Sequence, residues 1–291
     1  MSIVVGYYGN NGAVIAGDRR NIMFRGNPEK RAELEKDLYS GKIKNEEELK
    51  NRADELGVKI FIEDERTKVK KIGDVLVGEV KSIGVDSQRR RMYLTKGNCA
   101  IVDILNDTIT NKSVKKGSGI ILFGNRYLKN IVQEELKEYM NNFGRMNIVD
   151  VKNIIEKALK KCDGPTLSKE LDIIYSDRKA FNLEEVIKKD LNDLKEYRNE
   201  LKQKMVDFKK VMVIADKIEH NGEVGVIKNG KLVLDENHVA IDKVCPNPKL
   251  FNEIEVEGDV EDGDIVVIEN GSLKIKGKDT PIAVNRIICK K

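Results

Sequence analysis

The chain has 291 residues, 53 Lys+Arg against 49 Asp+Glu, 40% apolar and 35% charged residues, and a formal net charge of +4. That is enough apolar sequence for two domains with a sizeable core, and no run approaches the ~20 apolar residues of a membrane span, so a disordered or membrane-inserted chain is excluded as an expectation. The 4 cysteines form no CxxC pair and there are only 2 histidines, His220 and His238, which argues against a zinc site or a Cys–His catalytic pair; no cofactor and no metal are expected.

Charge is unevenly spread. Residues 211–291 carry 11 Lys+Arg against 15 Asp+Glu, and residues 1–210 carry 42 against 34. The basic front part suits acidic peptides or nucleic acid as partners. The N-terminus shows no signal-peptide pattern, so a cytoplasmic location is expected.

In residues 1–20, two β-branched apolar runs (3–8 and 13–16) flank Gly9-Asn10-Asn11-Gly12, and a β-hairpin is expected there. A strand starting at position 2 is unusual, because termini fray unless tied into a sheet. Once Met1 is removed, Ser2 carries a free α-amine beside its hydroxyl, the arrangement of an N-terminal nucleophile whose amine takes the proton. An α-amine titrates near 7.7–8.0, roughly, whereas a Lys amine near 10.4 needs strong perturbation for that work. The plainer alternative is an ordinary edge strand beginning Met-Ser.

Further along, residues 28–39 repeat leucine at Leu34 and Leu38, and residues 45–56 repeat apolar positions at Leu49, Ala53 and Leu56. Asn45 is the N-cap and Gly57 the stop, so two short helices packed on the sheet are expected in an insertion of about 28–57. This insertion reads equally as decoration or as a wall beside Ser2. Strands are expected at 58–63, 67–72 and 74–80. Alternation places Lys68 and Lys70 on one strand face. Arg89-Arg90-Arg91 reads as a solvated face or as a site for an acidic peptide side chain.

An apolar strand at 99–105 precedes Lys116-Gly117-Ser118-Gly119-Ile120 and an amphipathic helix over 125–140. A phosphate-binding loop is the other reading of that glycine-rich stretch, but its Lys-Ser/Thr tail is missing. A second helix over 147–161 ends at Cys162-Asp163-Gly164-Pro165, and a strand follows at 171–175. Residues 183–209 read as a long charged helix. Beyond 211, Asn221-Gly222, Asn229-Gly230, Asp262-Gly263 and Asn270-Gly271 separate short β runs, which predicts a small β-barrel or sandwich.

The opening hairpin closed by Gly17-Asp18-Arg19-Arg20, with Ser2 sixteen residues before Asp18, resembles the start of proteasome β subunits, through about Tyr175. The whole layout, with its charged insertion and extra C-terminal part, is similar to the archaeal connectases. The resemblance implies an α+β fold: an αββα sandwich of the N-terminal nucleophile (proteasome-like) type over 1–182, a connecting helix at 183–210, and a small all-β domain at 211–291. It implies Ser2 as nucleophile, Lys68 (four before Ile72) as the ammonium beside it, and Asp18 as the partner of Lys68. It also implies Ser118 in the Gly-Ser-Gly segment bonding the nucleophile's amine, and Gly78 as a backbone oxyanion donor. Asp163 is the supporting carboxylate, with Ser168 or Thr166 as the supporting hydroxyl.

As function, the connectase resemblance implies a monomeric protein ligase or transpeptidase. It would form a Ser2 acyl-enzyme on a Lys-Asp-Pro-Gly-Ala-type motif and return the acyl group to an incoming amine. By the same resemblance the partner is a methyltransferase of the methanogenic pathway, through its A-type polypeptide, with no nucleic acid and no membrane. Hydrolysis by a proteasome-like peptidase, or peptide binding by an inactive scaffold still masked by Met1, are the alternatives. Nucleic-acid binding ranks below them, because aromatic residues are only 5% and no stacking motif is present.

Overall fold

The computed structural model describes residues 3–81, 88–278 and 280–291. Position 2, the expected nucleophile, lies outside the described residues. The chain divides into two compact units, Met1–Asn192 and Asp193–Lys291, with the division inside the helix Leu183–Asp216.

The first unit is built on a hairpin of β1 (Ile3–Gly9) and β2 (Gly12–Asp18), every residue of which is buried. Both faces are covered, which is why these strands read as apolar runs rather than as alternation. After β3 (Asn21–Arg25) come α1 (Pro28–Tyr39) and α2 (Glu46–Glu55), then β4 (Lys59–Glu63). Asn27 and Asn45 cap these helices, their side-chain oxygens accepting from Glu29 N and Glu48 N respectively. The helices pack on their own two-stranded β3–β4 sheet through Leu34, Leu38, Leu49, Ala53, Ile22 and Phe24, not on the main sheet as expected.

A five-stranded antiparallel sheet follows: β5 (Val69–Ile72), β6 (Val75–Lys81), β7 (Gln88–Thr95), β8 (Asn98–Leu105) and β9 (Thr108–Lys116), paired in chain order. β9 has no counterpart among the expected elements. Its residues, Thr-Ile-Thr-Asn-Lys-Ser-Val-Lys-Lys, are nearly all exposed on an edge, so no apolar alternation marks it. Its turn, Asn106-Asp107, lacks glycine although both residues have positive φ (48° and 74°).

β10 (Gly119–Gly124) returns to β1. It leads into α3 (Arg126–Lys137) and α4 (Ile148–Lys160), and β11 (Leu171–Ser176) completes a four-stranded sheet in the order β10-β1-β2-β11. One face of this sheet (Ile3, Val5, Tyr7, Val14, Ala16) packs on α3 and α4 through Leu128, Val132, Val151 and Ile155. The opposite face (Val4, Tyr8, Ala13, Ile15) packs on Val69, Leu76, Met92 and Leu94 of the five-stranded sheet. Burial of each such side chain stabilises the fold by about 1.5–3 kcal/mol before the cost of ordering it.

Two glycines lie at close approaches between the sheets. A Cβ on Gly6 would lie 2.5 Å from Leu94 Cδ1, and one on Gly78 would lie 2.6 Å from Ile15 Cδ1 and 2.8 Å from Val4 Cγ1. The outer face of the five-stranded sheet meets the start of α5 (Leu183–Asp216), where Leu183, Ile187 and Asp190 are buried. Asp190 is held there by Arg91 (2.6 Å) and Tyr93 (2.8 Å) of β7. Arg91 is 6% exposed, and Arg89 and Arg91 both pair with Glu79 at 2.7 Å, so of the triplet only Arg90 is a solvated side chain.

The second unit contains the rest of α5, then β12 (Gly222–Lys228), β13 (Lys231–Leu234), β14 (His238–Ile241), β15 (Leu250–Phe251), β16 (Glu253–Glu257), β17 (Ile265–Glu269), β18 (Ser272–Ile275), β19 (Ala283–Val284) and β20 (Ile287–Lys290). Six of these strands form one sheet in the order β18-β17-β12-β13-β16-β19, around Val224, Ile227, Leu232, Ile254, Val266 and Ile275. Asn229-Gly230 and Asn270-Gly271 turn β12 into β13 and β17 into β18 with positive φ at both residues, the hairpin chemistry expected of those dipeptides. His238, which has no partner pattern in the sequence, has its Nδ1 2.8 Å from Asp235 Oδ1.

Candidate functional site

Asp18 ends β2 and is fully buried. The β1–β2 register places it opposite Ile3, and its carboxylate continues the ladder where backbone pairing stops: Oδ1 accepts from Ile3 N at 3.0 Å. Ile3 N is the atom through which position 2 is joined to the chain. Oδ2 accepts from Arg20 N at 2.8 Å and from Lys68 Nζ at 2.8 Å. Lys68 Nζ also donates to Arg20 O at 2.7 Å, so the buried cation is held by a charge and a carbonyl together.

Burial pushes the Lys68 ammonium below its ordinary value, while the Asp18 charge opposes the shift. Between that lowered value and the unfolded one the unfolded chain binds more protons, so stability rises with pH across the interval. Asp18→Asn removes the opposing charge. We expect it to move the Lys68 titration, followed by nitrogen NMR of the side chain, further down; an unchanged or higher titration would contradict the pairing.

Lys68 stands immediately before β5, and its carbonyl accepts from Glu79 N at 2.9 Å. Beside it lies a cavity of about 50 Å³ lined by Asn21, Ile22, Thr67, Glu79, Val80 and Thr166, room for a water or a small group. Arg20 joins three segments around this point. It bonds Pro165 O at 3.1 Å in the turn after α4, Asp64 at 2.7 Å after β4, and Glu46 at 3.3 Å in α2. A second cleft of about 190 Å³ runs between Gly41, Ile43 and Lys44 of the α1–α2 loop and Asn125, Asp163, Pro165 and Thr166. The insertion is thus a wall of this cleft. Among the described residues no group of His, Cys, Asp and Glu is placed to hold a metal.

Residues 1–192 match the family described as Connectase MJ0548-like, N-terminal domain, and residues 196–289 match its C-terminal domain. The chain belongs to the connectase family. No individual curated protein matches it.

In this connectase-family chain the expected site residues separate into two groups. Asp18 and Lys68 come together, and Thr166 lines the cavity with Lys68. Ser168 takes a different position: its hydroxyl accepts from Arg19 N at 2.8 Å and donates to Glu170 O at 2.6 Å, bracing the backbone after Asp18. Asp163 is exposed, its Oδ1 accepting from Gly164 N at 2.8 Å, and it meets neither Asp18 nor Lys68.

Two assignments are corrected. Ser118 is exposed and precedes Gly119, which pairs with Tyr8; the site lies at the other end of β10, where Gly124 pairs with Ile3. Five residues of strand between these ends span roughly 17 Å, which separates Ser118 from the Ile3 end of β1 by far more than a hydrogen bond. Gly78 is not at an open oxyanion position. It is buried between the sheets, and because Glu79 N–H points to Lys68, the alternation of an antiparallel ladder turns Gly78 N–H toward β7. We expect Gly78→Val to lower stability by about 1–3 kcal/mol through overpacking. Denaturant unfolding at unchanged stability would contradict the inter-sheet role.

The residue missed by sequence reasoning is Asn125. It is 5% exposed, its Oδ1 caps α3 at Leu128 N (2.8 Å), and its Nδ2 reaches Thr166 Oγ1 at 3.3 Å. The signal is Gly124-Asn125 between an apolar strand and an amphipathic helix, at the Ile3 end of that strand.

Proposed function

We propose that this connectase-family protein is a peptide ligase that acts through Ser2 as the mature N-terminal residue, within an αββα fold of the N-terminal nucleophile type. The observation that carries the reading is the chain of bonds from Ile3 N through Asp18 to Lys68, one residue from the expected nucleophile. The layer order of α3 and α4, two face-to-face sheets and the start of α5 supports the fold assignment.

In this reading the Ser2 hydroxyl attacks the carbonyl carbon of a peptide bond and its proton passes to the α-amine. The C–N bond then breaks, and the departing amine takes the proton. The Lys68 ammonium favours the ionised hydroxyl and the free amine, and the Asp18 carboxylate keeps that cation in place. An incoming N-terminal amine attacks the resulting acyl-enzyme, restoring a peptide bond and the free serine. The substrate class is a polypeptide with a Lys-Asp-Pro-Gly-Ala-type motif, and the methyltransferase of the methanogenic pathway is the partner by the same family likeness. No described helix is long and apolar enough to cross a membrane.

The test uses two peptides bearing the motif and different tags. Exchanged products with the wild type, and none with Ser2→Ala despite retained peptide binding, are expected. Hydrolysed fragments alone would favour a peptidase and overturn the ligase reading.

A further inference from the structure

β10 is an edge strand. It pairs with β1 on one side, and among the described residues no backbone hydrogen bond reaches its other side. Exposed edges are normally blunted by a lysine, a proline or a bulge, since they template pairing with another chain. β10 carries none of these: its sequence is Gly-Ile-Ile-Leu-Phe-Gly, and its register with β1 is unbroken. The strand runs straight to the candidate site, ending at Gly124 opposite Ile3.

Two grooves flank this edge. On the face of Phe123, toward the five-stranded sheet, lies a groove of about 550 Å³ whose lining includes Arg89, Arg90 and Asp103. On the face of Ile120 and Leu122, toward α3, lies one of about 510 Å³ whose lining includes Arg126 and Lys129. Lys129 borders both grooves. The cations outnumber the acids clearly, for Asp103 is the one carboxylate in either lining among the described residues, and Arg90 already pairs with it at 3.0 Å. Neither the Arg126 nor the Lys129 side chain has a partner among the described residues, whereas Arg89 pairs with Glu79 at 2.7 Å.

An unpaired strand edge between two grooves selects a particular shape of ligand. A chain added to a sheet edge sends successive side chains to opposite faces, so an extended peptide on β10 would place alternate side chains in the two grooves. The positive lining selects their charge. A folded partner could not follow an edge recessed between two grooves, and the continuity with Ile3 makes the occupant part of the same polypeptide that reacts.

We propose that the outer edge of β10 is a docking track for an extended, acidic stretch of the substrate polypeptide adjoining its reacting motif. This rests on the ligase reading above. Main-chain hydrogen bonds to β10 supply register, and acidic side chains on alternating positions meet Arg90, which lies over the Phe123 ring, on one face and Arg126 and Lys129 on the other. The track thereby contributes to substrate choice beyond the short motif.

The test compares fluorescent motif peptides extended on either flank by six residues of alternating Glu-Val, Gln-Val or Lys-Val, with anisotropy for binding to the full chain. The Glu-Val extension on one flank is expected to tighten binding about tenfold over Gln-Val, with Lys-Val weaker than both. N-methylation at every second backbone position of that flank is expected to abolish the gain, and at the intervening positions to spare it. Arg126→Glu with Lys129→Glu is expected to abolish the gain while leaving exchange of the short, unextended motif peptide unchanged. Equal binding of acidic and neutral flanks in both orientations, methylation effects without alternation, or displacement by a short single-stranded oligonucleotide would each overturn the track. If the extended peptide binds with the alternating pattern while the short motif is never exchanged, the track stands and the ligase reading falls.

Discussion

Lys68→Met is expected to reduce peptide exchange about 10³-fold and to destabilise the protein by about 3–5 kcal/mol. The Lys68 side chain is 9% exposed and Asp18 is fully buried, so removing the cation leaves a carboxylate with the Ile3 and Arg20 amides as its partners among the described residues. Losing one member of a buried pair costs more than losing both, because the survivor is still desolvated. The double variant Asp18→Asn with Lys68→Met is therefore expected to regain much of the stability and none of the activity. Chemical unfolding and exchange kinetics on the three variants separate the roles; equal activity of the single and native proteins would remove Lys68 from the chemistry.

The second large effect is far from any reacting atom. Arg91 bridges Glu79 at 2.7 Å and Asp190 at 2.6 Å, and Asp190 also accepts from Tyr93 and from Lys70 (2.5 Å). Burial beside the Asp190 carboxylate pushes the Tyr93 hydroxyl well above its ordinary value, so it remains a donor throughout the working range. Arg91→Met leaves Asp190, 2% exposed, with the half-exposed Lys70 as its cation. A loss of about 3–5 kcal/mol is expected, which lowers the melting temperature of a unit this size by roughly 10 °C. Arg91→Met with Asp190→Leu is expected to recover most of it. If the single variant melts like the native protein, the ion network does not hold α5 against the sheet.

Much of this arrangement is legible in the sequence where local chemistry decides the structure. Asn45 caps its helix by a short-range hydrogen bond, as its sequence position indicates, and Asn-Gly dipeptides turn where αL is required at two successive residues. The pairing of Asp18 with Lys68, 50 residues apart, is reached through the family likeness and not through local pattern.

What escapes the sequence has equally specific causes. β9 is a polar edge strand behind a glycine-free turn, and neither signal exists in its residues. Arg89 and Arg91 look solvated because Glu79, ten and twelve residues away, and Asp190, about a hundred from Arg91, become their partners only on folding. Ser118 and Asn125 both sit in glycine-containing turns flanking one strand. Composition does not tell the ends of a strand apart; the register of β10 against β1 does.

In the proposed mechanism the mature chain begins at Ser2 and this residue carries the acyl group. Intact-mass measurement of the native protein, alone and after rapid quenching with a motif peptide, tests it most directly, with the adduct located by peptide mapping. A mass lacking Met1 and an acyl adduct on the N-terminal fragment are the predicted results. Full exchange activity with Met1 retained, or an adduct on any other residue, would contradict it.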